Sequence, residues 1–166
     1  MSLVGLDLNA SRVRGVASNG QQSPVRLALE REAVEYPLAL SLEGRIVVAG
    51  SAGERLTRLR PHVACLDFLP HLGTARQWTG PRLRVSADEA LRHCLLGLGR
   101  SLNRVTALGV CVPAYLNDGQ IQQVQEIFRA ARLPLIGVMR STQAALLAQL
   151  LPDPSAANET PVLVVD

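Results

Sequence analysis

The spacing of hydrophobic positions changes along this chain. Near its start, short apolar or alternating runs occupy residues 3–8, 12–18 and 25–29. Asn9-Ala10-Ser11 and Asn19-Gly20 separate these runs, and such residues favour the tight turns of β-hairpins. The pattern therefore predicts that the chain opens with three antiparallel strands.

A second hairpin and a short helix are predicted next. Residues 36–42 and 46–49 are apolar runs that flank a turn. Ser51-Ala52-Gly53-Glu54 has the spacing of a capping box, in which a serine and a glutamate bond to the backbone at a helix start. We expect this helix to stop before Pro61, because proline cannot continue a helix. Residues 61–82 are predicted to be mainly loop.

Helical spacing returns after residue 85 and alternates with two strongly apolar runs. Ser86 and Asn117 each begin a capping pattern that is followed by apolar residues three or four positions apart. Ala107–Val112 and Leu133–Met139 have the character of buried parallel strands. A right-handed crossover would place the first of these runs beside the opening strand. Ser141 is predicted to cap a last helix that ends near residue 151.

The order of these elements predicts an α/β fold. Antiparallel strands followed by alternating helices and strands are typical of a mixed sheet with helices over its faces. The chain has 166 residues and 48% of them are apolar, which is enough to build the core of such a sheet.

The charged residues exclude several kinds of chemistry. The net charge is +3, and all 17 basic residues are arginine. Without lysine, neither a Walker A phosphate loop nor Schiff-base catalysis is possible. The arginines are interleaved with acids and aromatics make up only 3% of the chain, so nucleic-acid binding is not expected.

The cysteines and the N-terminus add two further expectations. Cys65, Cys94 and Cys111 are too widely spaced for a CxxC metal site, and their odd number does not suit a disulfide framework. Cys94 and Cys111 lie among apolar residues, so both are predicted to be buried free thiols. No signal-peptide pattern and no membrane-length apolar run is present, which favours a cytoplasmic protein that does not contact a membrane.

Positions 109–151 resemble the strand–helix–strand–helix segment of the heat-shock protein 70 family of actin-like ATPases. That family carries VPAYFND and later NEPTAAALAYG; here Val112–Asp118 reads VPAYLND and Ala144–Ala148 reads AALLA. Gly5–Leu8 is similar to the start of the family's GIDLGTT strand, and Val48–Ala52 is similar to its IGDAA step. Val162–Asp166 is similar to the strand that leads into DLGGGT.

The resemblance implies a ribonuclease-H-like lobe with an inserted α+β subdomain. Residues 1–34 and 104–151 would form the lobe, and residues 35–103 would form the insertion. Residues 152–166 would be a linker and the first strand of a second lobe.

The resemblance also implies a site for ATP or ADP with Mg²⁺ in the intact protein. The implied phosphate-binding residues are Asp7, Leu8, Asn9, Ala10 and Ser11. A tight turn of this kind directs successive backbone N–H groups at one point and so forms an anion-binding nest. Asp7 and Asp166 would hold the metal ion through water, the latter only when the second lobe is present.

Three positions depart from the family pattern. Asn9 replaces the turn glycine, Leu69 stands at the position of the catalytic lysine, and Ser141 stands at the position of the NEPT glutamate. A fixed cation and a water-orienting acid supply much of the charge stabilisation in phosphoryl transfer. We therefore assign no catalytic residue and expect hydrolysis to be weak or absent, with this chain inactive when alone.

Three functional interpretations follow. The first is the N-terminal half of the nucleotide-binding domain of a stress-response chaperone similar to heat-shock protein 70. Its partners would be the second lobe, client proteins and co-chaperones. The second is a catalytically degenerate actin-fold protein that acts in interaction or regulation and does not hydrolyse ATP. The third is a divergent actin-like sugar or acetate kinase.

Overall fold

The chain folds into a mixed sheet with helices packed against it. The computed structural model describes residues 3–19 and 23–150. In these ranges the strands are β1 (Leu3–Leu8), β2 (Arg12–Ser18), β3 (Val25–Arg26), β4 (Glu35–Pro37), β5 (Leu40–Ser41), β6 (Val48–Ala49), β7 (Ala64–Cys65), β8 (Gln77–Thr79), β9 (Arg84–Ser86), β10 (Ala107–Val112) and β11 (Leu135–Arg140). The helices are α1 (Gly50–Leu59), α2 (Ala87–Leu98), α3 (Asp118–Ala130) and α4 (Ser141–Leu150).

The main sheet combines antiparallel and parallel strands. Its order is β11-β10-β1-β2-β3, and β4 also pairs with β2. β1 is antiparallel to β2 and parallel to β10, and β10 is parallel to β11. The parallel pairing of β1 with β10 confirms the predicted placement of these two strands. Two smaller antiparallel sheets, β6-β5-β7 and β8-β9, are formed within the segment between β4 and α2.

The core lies between one face of the main sheet and helices α2 and α3. Alternate residues of β1 and β10 point into it, as the period-two geometry of a strand requires. These residues are Val4, Leu6, Leu8, Leu108, Val110 and Val112. The predicted apolar stripe of α2, from Leu91 to Leu98, is buried against them, and Val124 and Phe128 of α3 complete the cluster.

Two of the predicted capping boxes are confirmed. The Ser86 hydroxyl accepts from the Glu89 N–H at 3.2 Å, and the Glu89 carboxylate accepts from the Ser86 N–H at 2.8 Å. Asn117 and Gln120 make the corresponding pair at 2.9 and 3.0 Å. Helices α2 and α3 therefore begin where the sequence predicts.

The capping box predicted at Ser51 is wrong. Helix α1 begins two residues earlier than this box predicts, at Gly50, with Ala49 as its N-cap and no side-chain capping bond. The N–H and hydroxyl of Ser51 instead donate to the Glu30 carboxylate at 2.9 and 2.6 Å. A carboxylate is a stronger acceptor at a helix N-terminus than a hydroxyl, so this distant residue replaces the local cap.

The prediction of one strand over residues 36–42 is also wrong. Part of this run belongs to β4, which pairs with β2, and part belongs to β5, which pairs with β6 and β7. The chain leaves the main sheet after Pro37, and the Leu38 N–H makes one more bond, to the Ser11 carbonyl at 2.8 Å. The third strand is likewise shorter than predicted and ends at Arg26. Beyond it, the Leu29 N–H bonds to Ala33 across a turn.

Strand β11 is more exposed than its apolar sequence predicts. It is an edge strand of the described sheet, and 73% of Ile136 and 40% of Met139 is exposed. Ser141 is the first residue of α4 and not its cap, because the Arg140 N–H bonds to the side chain of Gln143 at 3.0 Å. The predicted end of this helix at residue 151 and the strand at Val162–Asp166 lie outside the described residues.

The cysteine prediction is confirmed for Cys94 and wrong for Cys111. All three thiols are free; Cys65 and Cys94 are fully buried, whereas Cys111 is half-buried. Burial raises the pKa of the Cys65 thiol to about 12 and raises the pKa of Cys94 as well. Both core thiols therefore stay protonated and unreactive at neutral pH.

Candidate functional site

The turn between β1 and β2 lies at the carboxyl edge of the parallel strands. β1, β10 and β11 run in the same direction, so their carboxyl ends meet at one edge of the sheet. Ligands of open α/β sheets bind outside this edge. Leu8 and Val13 form the last pair of the hairpin, and residues 9–12 turn beyond it. The sequence-predicted phosphate residues are therefore adjacent in space at a ligand-accessible edge.

Asn9 organises this turn with its own side chain. The Asn9 N–H donates to the Arg12 carbonyl at 3.0 Å, which closes the turn. The Asn9 Oδ1 atom accepts from the N–H groups of Ser11 and Arg12 at 3.0 and 3.2 Å. Asn9 is not among the residues with positive φ. Two convergent backbone donors are present, as a nest requires, and the asparagine carboxamide occupies the point on which they converge.

Asp7 lies beside Cys111 on the sheet face opposite the core. Its backbone pairs with Arg14 of β2 on one side and with Cys111 of β10 on the other. The pKa of Cys111 is raised by burial and, to a smaller extent, by the negative charge of Asp7. The Asp7 carboxylate is half-buried and near the end of β1, and a carboxylate is the type of group that holds a hydrated divalent cation.

Arginines close to the turn are held by Glu35. Arg12 and Arg14 project from the same face of β2, and both contact the Glu35 carboxylate on β4, Arg14 at 2.7 Å. These hydrogen bonds, the one from Arg12 first, lower the pKa of Glu35. The pair of cations nearest the turn is thus partly neutralised within the protein.

A cavity of about 240 Å³ lies beside the turn, between β2 and helix α1. Its polar wall is formed by Ser11, Arg12, Glu54, Thr57, Arg58 and Asp67. Asp67 has a φ of 48°, in the left-handed region that costs energy for residues other than glycine. Such conformations persist where surrounding structure holds them, and they are concentrated at binding sites.

Leu69 and Ser141, which replace family catalytic residues, have different surroundings. Leu69 is fully buried in the core, so its position does not face the cavity. Ser141 begins α4 directly after β11. The preceding residue, Arg140, donates to the Asp118 carboxylate at 2.8 Å and to the Leu116 carbonyl at 3.3 Å. Asp166 lies outside the described residues.

Two sets of ion pairs at this edge were not predicted from the sequence: Arg12 and Arg14 with Glu35, and Arg140 with Asp118. The alternation of Arg12 and Arg14 on one strand face was visible, because residues two apart point the same way. Their partner Glu35 is more than 20 positions away, and no local pattern connects it to them. The pair of Arg140 with Asp118 is equally non-local.

No protein-family model matches the chain, and no curated protein matches it either. Over residues 3–19 and 23–150, no helix is long and apolar enough to cross a membrane. The same ranges hold no cluster of three or more histidine, cysteine or acidic side chains that could bind a metal ion.

Proposed function

We propose that this chain is the N-terminal lobe of a ribonuclease-H-like nucleotide-binding protein similar to heat-shock protein 70. In this proposal the turn at residues 9–12 binds the phosphates of ATP or ADP, and Asp7 holds the accompanying Mg²⁺ through water. The second lobe would supply the remaining contacts. Clients, co-chaperones and a cytoplasmic location belong to the same proposal.

The strand order is the observation that carries the proposal. Three antiparallel strands are followed by two that add in parallel on the other side of β1, in the order β11-β10-β1-β2-β3. This is the order expected of a ribonuclease-H-like lobe. It supports the resemblance because the phosphate hairpin of that family joins the first two strands, where the Asn9 turn lies here.

The groups at the turn fit a phosphate if the Asn9 carboxamide moves aside. The N–H groups of Ser11 and Arg12 converge on one oxygen, and a phosphate oxygen is a stronger acceptor than the amide oxygen it would replace. Each hydrogen bond exchanged is worth about 1 kcal/mol, so the side chain weakens phosphate binding without excluding it. Bound Mg²⁺ would neutralise phosphate charge beside Asp7.

Weak or absent hydrolysis is part of the proposal. Leu69 is a core residue, and the nearby cations of Arg12 and Arg14 are already engaged by Glu35. Catalysis of phosphoryl transfer depends on fixed charges at the reacting phosphate. With those cations engaged elsewhere, nucleotide binding is favoured over turnover.

The test is a titration of the full-length ¹⁵N-labelled protein with Mg-ATP, followed by amide chemical shifts. We expect saturable changes at Ser11 and Arg12, and their loss in Asp7→Ala. Asn9→Gly should tighten binding about tenfold, because it removes the competing carboxamide. Asn9→Asp is the matched control and should weaken binding, since a carboxylate holds the same N–H groups and repels phosphate. Saturation without any change at Ser11 and Arg12 would contradict the proposal.

The second candidate, a non-hydrolysing interaction or regulatory protein, is favoured by one specific observation. The Asn9 side chain satisfies the nest without any ligand. Under this alternative, Mg-ATP produces no saturable shift in the wild-type protein. Binding by Asn9→Gly alone would show a phosphate nest that this sequence has closed, which also favours the alternative.

A further inference from the structure

A second cavity, of about 560 Å³, lies between helix α2, the start of α1 and the segment before β4. Its size is within the range of small-molecule pockets, and it shares no wall residue with the cavity beside the hairpin. The polar part of its wall consists of Glu30, Arg31, Tyr36, His93, Arg100 and Ser101. An adjoining cavity of about 670 Å³ shares Glu30 and Arg31 with it.

Tyr36 brings a hydroxyl group to this cavity. Only 3% of the residue is exposed, and it forms part of the cavity wall. Burial raises the pKa of Tyr36, and the hydroxyl therefore stays protonated as a donor.

Two glycines leave room for the Tyr36 ring and its hydroxyl. A Cβ atom at Gly50 would lie 2.8 Å from a ring carbon, and one at Gly97 would overlap the hydroxyl oxygen. Gly97 is in the last turn of α2, one residue before its end. Because Gly97 is itself exposed, the glycine leaves the hydroxyl open toward the surface of the helix.

The wall of this cavity carries two arginines and one glutamate. Arg31 and Arg100 make no ion pair with any residue in the described part of the chain. The Glu30 carboxylate, the acid in this wall, accepts two hydrogen bonds from Ser51 at the start of α1. Burial lowers the pKa of His93, which leaves a neutral imidazole able to donate or accept. Two uncompensated guanidinium groups therefore border the cavity.

The backbone conformation of Arg31 indicates that this part of the cavity wall is held in a fixed geometry. Its φ of 53° places a non-glycine residue in the left-handed region, within a turn closed by hydrogen bonds between Glu30 and Ala33. That conformation costs about 1–3 kcal/mol and is retained where the surrounding structure imposes it. Here it holds the arginine at the junction of the two cavities.

We propose that this cavity binds a small organic molecule with an oxyanion group, either a carboxylate or a phosphate. Arg31 and Arg100 pair with the oxyanion, and the Tyr36 hydroxyl donates a hydrogen bond to the ligand. Guanidinium groups suit both oxyanions, because their planar N–H pairs match two oxygens. The exposed side chain of Leu96, in the same wall, covers the apolar part of the ligand.

The test uses separate NMR titrations with sodium phosphate, sodium succinate and glucose, each to about 10 mM, which detects dissociation constants in the millimolar range. We expect phosphate or succinate to shift the amides of Arg31, Gly50 and Gly97 saturably, and glucose to leave them unchanged. The anion that binds more tightly shows whether the cavity prefers a phosphate or a carboxylate group. Shifts at Ser11 and Arg12 would report the hairpin instead, so this result is independent of the proposed function.

Three variants decide the roles of the named groups. Tyr36→Phe keeps the ring and should weaken binding about fivefold, the worth of one hydrogen bond. Arg100→Gln should weaken it about tenfold, the worth of one hydrogen bond to a charged group. Arg92→Gln, an exposed arginine of α2 outside the cavity wall, is the matched control and should bind as wild type. The proposal is overturned if neither anion shifts these amides, or if Tyr36→Phe and Arg100→Gln bind as tightly as Arg92→Gln.

Discussion

Helices α1 and α2 are fixed to the same protein in different ways. α2 buries an apolar stripe that includes Leu91, Leu95 and Leu98. α1 buries Gly50, Gly53 and Thr57, while its terminal apolar residue Leu59 is 72% exposed. One helix is attached by the volume of its side chains, and the other by the close approach of its backbone.

The two helices also differ in the hydrogen bonds made at their first residues. Both sequences carry a serine followed three positions later by a glutamate. In α2 these residues bond to each other's backbone, whereas in α1 Ser51 bonds to Glu30 and Glu54 pairs with Arg58 at 3.0 Å. The comparison teaches that a capping motif acts locally only where no stronger acceptor arrives from elsewhere in the fold.

The largest expected effect on stability is the difference between truncating a buried leucine of α2 and truncating an exposed leucine of α1. Leu95→Ala should lower the free energy of unfolding by about 3 kcal/mol, because it opens a cavity in the core. Leu59→Ala should change it by less than about 0.5 kcal/mol, since that side chain is already in water. Urea denaturation of both variants measures the difference, and similar losses would mean that α1 is also held by its apolar residues.

A smaller effect is expected from the backbone contact of α1. A Cβ atom at Gly53 would overlap the Ala39 carbonyl and lie 2.5 Å from the Val48 carbonyl oxygen. Gly53→Ala should therefore destabilise the protein by about 2 kcal/mol, although alanine favours helices. Gly99→Ala is the control, because its Cβ meets only ordinary contacts at 3.4 Å or more. A stabilising Gly53→Ala in thermal or urea denaturation would disprove the close approach.

Removing the distant cap of α1 should cost somewhat less. Glu30→Ala deletes the acceptor of two hydrogen bonds at the helix start, and we expect a loss of about 1.5 kcal/mol. Glu32→Ala, in the same exposed turn, should change stability by less than about 0.5 kcal/mol. If the two variants unfold at the same urea concentration, the bond to Ser51 does not stabilise α1.

The two serines provide a direct comparison of the motifs. Ser86→Ala removes a true N-cap and should cost about 1 kcal/mol. Ser51→Ala keeps the N–H bond to Glu30 and loses only the hydroxyl bond, so about half that cost is expected. Equal losses in parallel denaturation experiments would indicate that Ser51 caps its helix after all.

The smallest effect is a pH dependence in the cap of α2. Hydrogen bonds from the Ser86 N–H and hydroxyl lower the pKa of Glu89 below its ordinary value of 4.5. The charged carboxylate therefore stabilises the folded state above that ordinary value, and the stabilisation is lost as the pH falls through the folded-state pKa. The stability difference between wild type and Glu89→Gln should shrink between about pH 7 and pH 3. A constant difference would show that charge is not involved.

Local patterns predicted the parts of the fold that depend on neighbouring residues. The hairpin of β1 and β2 and the caps at Ser86 and Asn117 depend on turn residues, short apolar runs and a spacing of three. The pairing of β1 with β10 is not local and was predicted from the crossover rule. Strand β4 was predicted as part of one longer strand over residues 36–42, because its pairing with β2 is a tertiary contact that no local pattern shows. The exposure of Ile136 was missed because an apolar run does not reveal which strand lies at an edge.

The candidate hairpin site was predicted in position but not in conformation. The turn after Asp7 was visible, and its backbone N–H groups were expected to point at one spot as an anion-binding nest. Instead, the Asn9 carboxamide folds onto the N–H groups of Ser11 and Arg12. A side chain that can satisfy a nest competes with any ligand for it, and this is visible only once the turn geometry is known.

The amino-acid sequence by itself determined the fold class, the order of the elements and the local caps, because these depend on periodicity and on residues three or four positions apart. Only the tertiary structure decided that Glu30 caps α1, that Glu35 holds two arginines and that Tyr36 stands between two glycines at a cavity. Those contacts join residues 14 or more positions apart. Their existence depends on how the whole chain packs, and no local pattern encodes them.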